Sequence, residues 1–472
     1  MMLRAALAAC LLAAIGPAVA ALQPCRVAGI RNEVQCGVIA RALDPARPGG
    51  VTIDVHYVVV PALARRKLLD PVFLLAGGPG QSAIALAPTV LPLFARLNNR
   101  RDIVFVDQRG TGRSAPLACA DTRQLPLAEQ LDPERQVEQL ARCRAELQQL
   151  PYGDLRFFTT TIAMQDLDAV RAQLGAERIN VVGASYGTRA ALELLRQFPG
   201  RVRRSLLDGV APPDMALPAS SGVDGQAAFD AMLAACEHEA ACAQRHPTLR
   251  ADWASLASSP PRRVTVMHPL TGQSESLTLT RAMLLTALRG PLYVPSLAAA
   301  LPQAIADAAQ GRFEPLLGLN SVLATRREMA PAMGMHFSVV CAEDLPRLAA
   351  ADFRDDIAAL YQRVCAGWPR GEVPAAFYAI PTSGSPVLLL SGGLDPATPP
   401  RHAERVARAL GRNALQVVAP NAGHGVMNLP CMRDVLFRFI DAADDAQALA
   451  ADASCVKSIP RPPAFEPLQV AR

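Results

Sequence analysis

Ile179-Asn180-Val181-Val182-Gly183-Ala184-Ser185-Tyr186-Gly187-Thr188 is the stretch on which the reading of this chain turns. A β-branched run drives straight into G-x-S-x-G and then into an alanine- and leucine-rich segment, Arg189 to Phe198, closed by Pro199-Gly200. That order predicts a strand turning so sharply into a helix that the serine Oγ is presented at the turn, a nucleophile elbow. A side chain at Gly183 or Gly187 would collide with the neighbouring strand or helix at such a turn. The five-residue pattern alone arises by chance in long chains. The strand before it and the helix after it mark Ser185 as the candidate catalytic nucleophile.

Outward from the elbow, strand and helix signals alternate. Val51 to Val60, Val72 to Leu75, Ile103 to Val106, Val202 to Val210, Pro386 to Leu390 and Leu415 to Val418 read as strands. Thr160 to Leu174 carries apolar residues at helical spacing, and Met427 to Ile440 reads as a closing helix. Such alternation with continuously apolar strands predicts an α/β fold, a mostly parallel sheet with helices on both faces. Between about Ala211 and Ser383 the alternation lapses into an alanine- and leucine-rich segment punctuated by Pro212-Pro213 and Pro260-Pro261. It reads as a mostly helical insertion, a cap over the C-terminal edge of the sheet.

At 472 residues and 51% hydrophobic content, the chain exceeds one minimal α/β domain, as an insertion requires. Arg4, the apolar run Ala5 to Ile15 and Ala18-Val19-Ala20 read as an export signal with its cleavage site. The expected order is a signal over residues 1–20, a first core segment over 21–210, the cap over 211–383 and a second core segment over 384–472. No later segment is long and apolar enough to span a membrane, so none is expected to engage one once the signal is removed. With Cys10 gone, ten cysteines remain, an even number that suits disulfides in an exported protein, periplasmic or extracellular. Neighbours along the chain give the pairs Cys25–Cys36, Cys119–Cys143, Cys236–Cys242, Cys341–Cys365 and Cys431–Cys455, although composition does not fix connectivity. No C-x-x-C or His/Cys cluster at ligand spacing is present, so neither metal nor cofactor is expected. A net charge of +5 is scattered over the chain and only 5% of residues are aromatic, which argues against nucleic acid as a partner.

A serine hydroxyl needs a base, and the base an orienting carboxylate. Of seven histidines, His424 lies in the glycine-flanked loop Asn421-Ala422-Gly423-His424-Gly425 after the last strand, where its side chain can swing toward the elbow. His56 falls in a strand, His238, His246, His268 and His336 in the insertion, and His402 on a predicted helix. Two carboxylates compete for the orienting role. Asp395 follows the strand ending near Leu390, in a short loop where Thr398 offers an N-cap and Pro399 a first helical residue. Asp208 ends the preceding strand but also suits closing the turn at Gly209. Asp395 is the stronger candidate, and the order Ser, acid, His is that of the α/β-hydrolases. An acyl-transfer oxyanion needs two backbone N–H donors, which points to Tyr186 and Gly78, with Gly77 as second choice and Pro79 excluded for want of an N–H.

Four separated motifs now stand together: Gly77-Gly78-Pro79-Gly80; Asp107-Gln108-Arg109-Gly110-Thr111-Gly112-Arg113-Ser114; Gly183-Ala184-Ser185-Tyr186-Gly187-Thr188; and Gly392-Gly393-Leu394-Asp395-Pro396-Ala397-Thr398-Pro399 with His424-Gly425. From about Cys36 to Cys455 the chain resembles the proline iminopeptidase and tripeptidyl aminopeptidase branch of the α/β-hydrolases, particularly exported bacterial members. The resemblance implies a serine exopeptidase that removes one or a few residues from peptides with a free N-terminus, under a helical cap. It also implies that Asp107 and Arg109 brace loops near the site. Two departures stand out: the usual histidine before the first glycine pair is Ala76, and the amine-binding acids of single-residue iminopeptidases have no clear match. Cys341-Ala342-Glu343-Asp344, with Cys365-Ala366-Gly367-Trp368, is similar to a cysteine-bracketed element of the tripeptidyl branch. Glu343 and Asp344 are thereby candidates to bind a substrate amine, against helix-capping or surface roles. A carboxylesterase or lipase using the same triad is the alternative.

Overall fold

The computed structural model describes residues 22–324, 330–354 and 356–466. The export signal expected over residues 1–20 lies outside them. Among these residues the strands are, in chain order, β1 (Gln23–Cys25), β2 (Val34–Ala42), β3 (Thr52–Val60), β4 (Val72–Leu75), β5 (Ile103–Val106), β6 (Ile179–Ala184), β7 (Val202–Asp208), β8 (Arg262–Met267), β9 (Ser274–Leu279), β10 (Val387–Gly392) and β11 (Ala414–Ala419). Nine of them form one sheet in the order β1-β2-β3-β5-β4-β6-β7-β10-β11. From β5 through β11 every neighbouring pair is parallel, while β1, β2 and β3 run antiparallel at one side.

The central strands are apolar at every position because both faces are covered, and their two-residue alternation sorts the side chains into two cores. Phe73, Leu75, Val104, Val106, Val181, Leu207 and Leu389 face one side. Val72, Leu74, Ile103, Phe105, Val182, Leu206, Leu388 and Leu390 face the other. Crossing helices Thr160–Gln173 and Tyr186–Gln197 pack on the first face, and helix Met432–Asp441 packs on the second.

The stretch between β7 and β10 departs from the sequence reading in two respects. It contains the antiparallel hairpin β8–β9, whose short strands lack the apolar runs of the main sheet. It is also split in its packing. Helices between Leu217 and Leu317 gather, with Leu127 and Leu131, around a third core that includes Phe229, Met232, Leu284, Leu288 and Ile305. Met335, Phe337, Val339, Leu345, Val364 and Trp368 join the first face of the sheet instead.

His402, on helix Pro400–Leu410, lies with Nε2 2.9 Å from Asp224 Oδ2, and Arg401 Nε donates to the same carboxylate at 2.8 Å. These contacts tie helix Leu217–His238 to the sheet domain. The five cysteine pairs are bonded as Cys25–Cys36, Cys119–Cys143, Cys236–Cys242, Cys341–Cys365 and Cys431–Cys455. Among the described residues no helix is long and apolar enough to cross a membrane, and no group of three or more His, Cys, Asp or Glu is placed to hold a metal.

Candidate active site

The C-terminal ends of β4, β6, β7, β10 and β11 converge, and the candidate residues lie on the loops that leave them. Ser185 takes up φ 54° and ψ −121° between the last residue of β6 and helix Tyr186–Gln197. A non-glycine residue in that region is strained and persists only where its surroundings fix it. They do so here: Ser185 N–H donates to the Asp208 carbonyl at 2.8 Å, and Ser185 O accepts from Thr188 N–H and Oγ1 at 2.9 and 2.6 Å. The two glycines are required by close approach. A Cβ on Gly183 would stand 2.5 Å from Gly187 O, and one on Gly187 would stand 2.1 Å from Leu75 O.

The loops after β10 and β11 are stitched together, Gly393 N–H donating to Ala419 O and Leu394 N–H to Ala422 O, both at 2.9 Å. Asp395 sits between them, 2% exposed. Its Oδ1 accepts from Ala397 and Thr398 N–H at 2.8 and 2.9 Å; its Oδ2 accepts from Thr398 Oγ1 at 2.7 Å and lies 2.9 Å from His424 Nδ1. Thr398 therefore does not cap the next helix. Pro399 holds that position, the helix runs Pro400–Leu410, and the threonine hydroxyl serves the carboxylate. An ionised carboxylate only accepts, so the proton of a neutral His424 stays on Nδ1 and Nε2 keeps its lone pair. Burial disfavours the charged imidazole, but Asp395 beside it and Asp208 further off outweigh burial and raise the His424 pKa. Burial likewise opposes the Asp395 charge, and His424 with the loop hydrogen bonds holds its pKa below the ordinary value.

Asp208, the competing acid, does not contact the imidazole as Asp395 does. Its carboxylate accepts Val426 N–H on Oδ1 and Met427 N–H on Oδ2, both at 2.9 Å, while its carbonyl holds Ser185. Burial pushes its pKa up, against those two bonds. The next residue, Gly209, passes so close to the imidazole that a Cβ there would stand 3.1 Å from His424 Cε1. Ser185 and His424 thus flank the same Asp208-Gly209 dipeptide. On its other side His424 meets Tyr293, whose ring packs edge-on at 5.2 Å and whose carbonyl accepts His424 N–H at 3.0 Å.

Gly77-Gly78-Pro79-Gly80 lies against the elbow. A Cβ on Gly77 would stand 3.2 Å from Ser185 Cβ, and Gly78 and Gly80 have φ of +111° and +108°. Asp107 holds the helix that follows this loop, accepting from Ser82 Oγ at 2.7 Å and Ile84 N–H at 3.1 Å. Arg109, fully buried, makes two bonds to Asp166 and reaches the carbonyls of Ala42, Leu43 and Phe157. Both residues act on loops and touch no open surface of the site.

Glu343 and Asp344 stand differently from their expected place in an open cleft. Both side chains are 0% exposed. Asp344 Oδ1 accepts from Arg189 at 2.9 Å, and Glu343 accepts Thr160 N–H on Oε1 at 2.7 Å and Thr160 Oγ1 on Oε2 at 2.9 Å. Burial pushes Glu343 up to about 7 and Asp344 upward, with Arg189 opposing both shifts. A buried acid without a partner is costly, and Arg189 is that partner. Arg189 lies one turn after Ser185, and a charged residue directly before the apolar Ala190, Ala191 and Leu192 was the available sign of an internal counter-ion. The roles of Thr160 and Thr398 as carboxylate partners, and the bracing role of Asp208, have no local signal in the sequence.

A family model described as an alpha/beta hydrolase fold matches residues 70–236, and one described as a TAP-like protein matches residues 351–455. The serine protease Hip1 of Mycobacterium tuberculosis is 30% identical over 269 residues, 52% of this chain and 48% of that protein. The tripeptidyl aminopeptidase of Streptomyces lividans is 31% identical over 194 residues, 39% of this chain and 36% of that protein. Carboxylesterase B of Mycobacterium tuberculosis is 28% identical over 428 residues, 80% of this chain and 79% of that protein. The match spans about half the length of Hip1 and about a third of the tripeptidyl aminopeptidase. The chain has the α/β-hydrolase fold, and within it the chain is similar to a TAP-like family over residues 351–455 and, over part of its length, to a tripeptidyl aminopeptidase and a serine protease.

Proposed function

We propose that this protein is an exported serine peptidase that cleaves near the free N-terminus of peptides through an acyl-enzyme. The observation that carries the reading is the His424–Asp395 pair at 2.9 Å, flanking the same dipeptide as the strained Ser185. In this mechanism His424 Nε2 takes the Ser185 proton as Oγ attacks the scissile carbonyl, and Asp395 stabilises the imidazolium. The N–H groups of Gly78 and Tyr186 receive the oxyanion, His424 returns the proton to the leaving amine, and water then releases the acyl group by the same steps. A peptide substrate is supported by the names of the two relatives at 30% and 31% identity. Export is supported by five bonded cysteine pairs and the leader-like first twenty residues. In this reading the helices between Leu217 and Leu317 form the cap, supported by the packing of Tyr293 against His424.

A second reading, carboxylesterase, is favoured by the relative that matches 80% of the chain and by the internal pairing of Glu343 and Asp344, whose carboxylates are already engaged by Thr160 and Arg189. One panel separates the two. Aminoacyl, dipeptidyl and tripeptidyl chromogenic amides, each also N-acetylated, are compared with a short acyl ester. The peptidase reading expects kcat/KM to be highest on a free-amine peptide amide and to fall on acetylation. Turnover of the ester alone, or equal rates on free and acetylated peptides, overturns the free-N-terminus assignment.

A further inference from the structure

We propose that helix Met333–Glu343 is the positioning element of the oxyanion hole, with His336 holding the loop that carries Gly78 and Glu343 holding Tyr186 through Thr160. The inference rests on the acyl-transfer reading above.

The helix meets the two walls of the hole at its two ends. At its start, Ala332 N–H donates to Gly80 O at 2.9 Å, and Gly80 lies so close that a Cβ there would stand 2.7 Å from Ala332 O. One turn on, His336 Nδ1 lies 3.3 Å from Pro79 O and Nε2 lies 2.7 Å from Tyr361 Oη. A carbonyl only accepts, so the hydrogen is on Nδ1 and the Tyr361 hydroxyl donates to Nε2. Burial pushes the His336 pKa down to about 4, so the imidazole stays neutral and keeps this one arrangement. At the helix's end, Glu343 takes both the N–H and the hydroxyl proton of Thr160, and Thr160 Oγ1 lies 2.6 Å from Tyr186 Oη. With Glu343 ionised, the Thr160 proton is directed to it and the Tyr186 hydroxyl is the donor in that contact. Tyr186 is fixed at its ring, and its backbone N–H is the one that follows the nucleophile.

Preorganised donors act because they need not move when charge develops on the oxygen. A loosened donor is thus expected to lower kcat and leave KM nearly unchanged. The test uses the full chain with Tyr186→Phe, Thr160→Val, Thr160→Ser and His336→Phe, each read in kcat, KM and affinity for a peptide boronic acid, whose serine adduct is a tetrahedral, anionic boronate with an oxygen in place of the oxyanion. Removing one oxyanion donor outright costs about 10²–10³-fold in kcat, and a mispositioned one is expected to cost about tenfold. Thr160→Val, Tyr186→Phe and His336→Phe should each show that loss, matched by weaker boronate binding, with Thr160→Ser restoring activity. Combining Thr160→Val with Tyr186→Phe should cost no more than either alone, since both cut one chain. Should Thr160→Val fail to fold, Tyr186→Phe interrogates the same chain by the loss of a single hydroxyl. Wild-type kcat and boronate affinity in Tyr186→Phe and His336→Phe, with Ser185→Ala inactive, would overturn the positioning role alone. Hydrolysis retained in Ser185→Ala would overturn the acyl-transfer reading beneath it.

Discussion

Ser185 is both the most legible residue of the chain and the most strained. The turn that exposes its Oγ forces φ to 54°, in a region where a side chain costs about 1–3 kcal/mol. Ser185→Ala is expected to abolish turnover while circular dichroism stays native. Ser185→Gly should be equally inactive yet about 1 kcal/mol more stable by denaturant titration, because glycine enters this region freely. The His424 pKa is raised, and general-base catalysis needs the neutral ring, so kcat/KM should rise with pH along a limb centred above the ordinary histidine value of 6.5. Stability runs the other way for this group. The contribution of the charged His424 is fully present below its unfolded pKa and is lost as pH rises through the raised folded value. Asp395→Asn removes the main counter-charge, so the limb should move to lower pH while kcat falls by about 10⁴-fold. An unmoved limb would show that another group governs the profile. Glu343 and Asp344 were visible as chemistry but not as geometry. Their partners Arg189 and Thr160 lie more than 150 residues away, and no local pattern reports a contact of that range.

At the scale of elements, what was legible followed from local order: apolar runs for the central strands, glycines at the elbow, short loops after β10 and β11. The antiparallel β1 and β2 and the hairpin β8–β9 were not. Their faces are partly exposed, and mixed polar and apolar positions weaken the strand signal. Asp208 shows how the elements are joined, since one residue at the end of β7 grips the elbow by its carbonyl and the histidine loop by its carboxylate. In Asp208→Asn an amide NH₂ must face a backbone N–H, which costs about 1–3 kcal/mol of stability. Loosening the loop by a fraction of an ångström should lower kcat by up to about 10²-fold, less than Asp395→Asn does. Equal damage from the two substitutions would reopen the choice of acid.

Across the whole molecule, the five cysteine pairs each close a short loop, three of them with a sequence separation of 24. Peptide mapping without reductant should recover these five links, and reduction should lower stability by about 3 kcal/mol for each of the three longer loops. A bridge between distant members, such as Cys36 with Cys119, would contradict the arrangement. The divided packing of the segment between β7 and β10 has a dynamic consequence. Met335, Phe337, Val339, Leu345, Val364 and Trp368 share a core with helix Tyr186–Gln197, whereas the helices between Leu217 and Leu317 enclose, with Leu127 and Leu131, a separate core. The two parts are therefore expected to open as different cooperative units, with deuterium entering them at different rates. Amides of Met333–Glu343 are expected to exchange as slowly as those of the elbow helix, with the 217–317 helices opening earlier. Exchange of both parts in step would mean that they breathe as one. In the expected case a substrate can be admitted and released by partial unfolding of the outer unit, while the wall that receives its charge stays closed to solvent exchange.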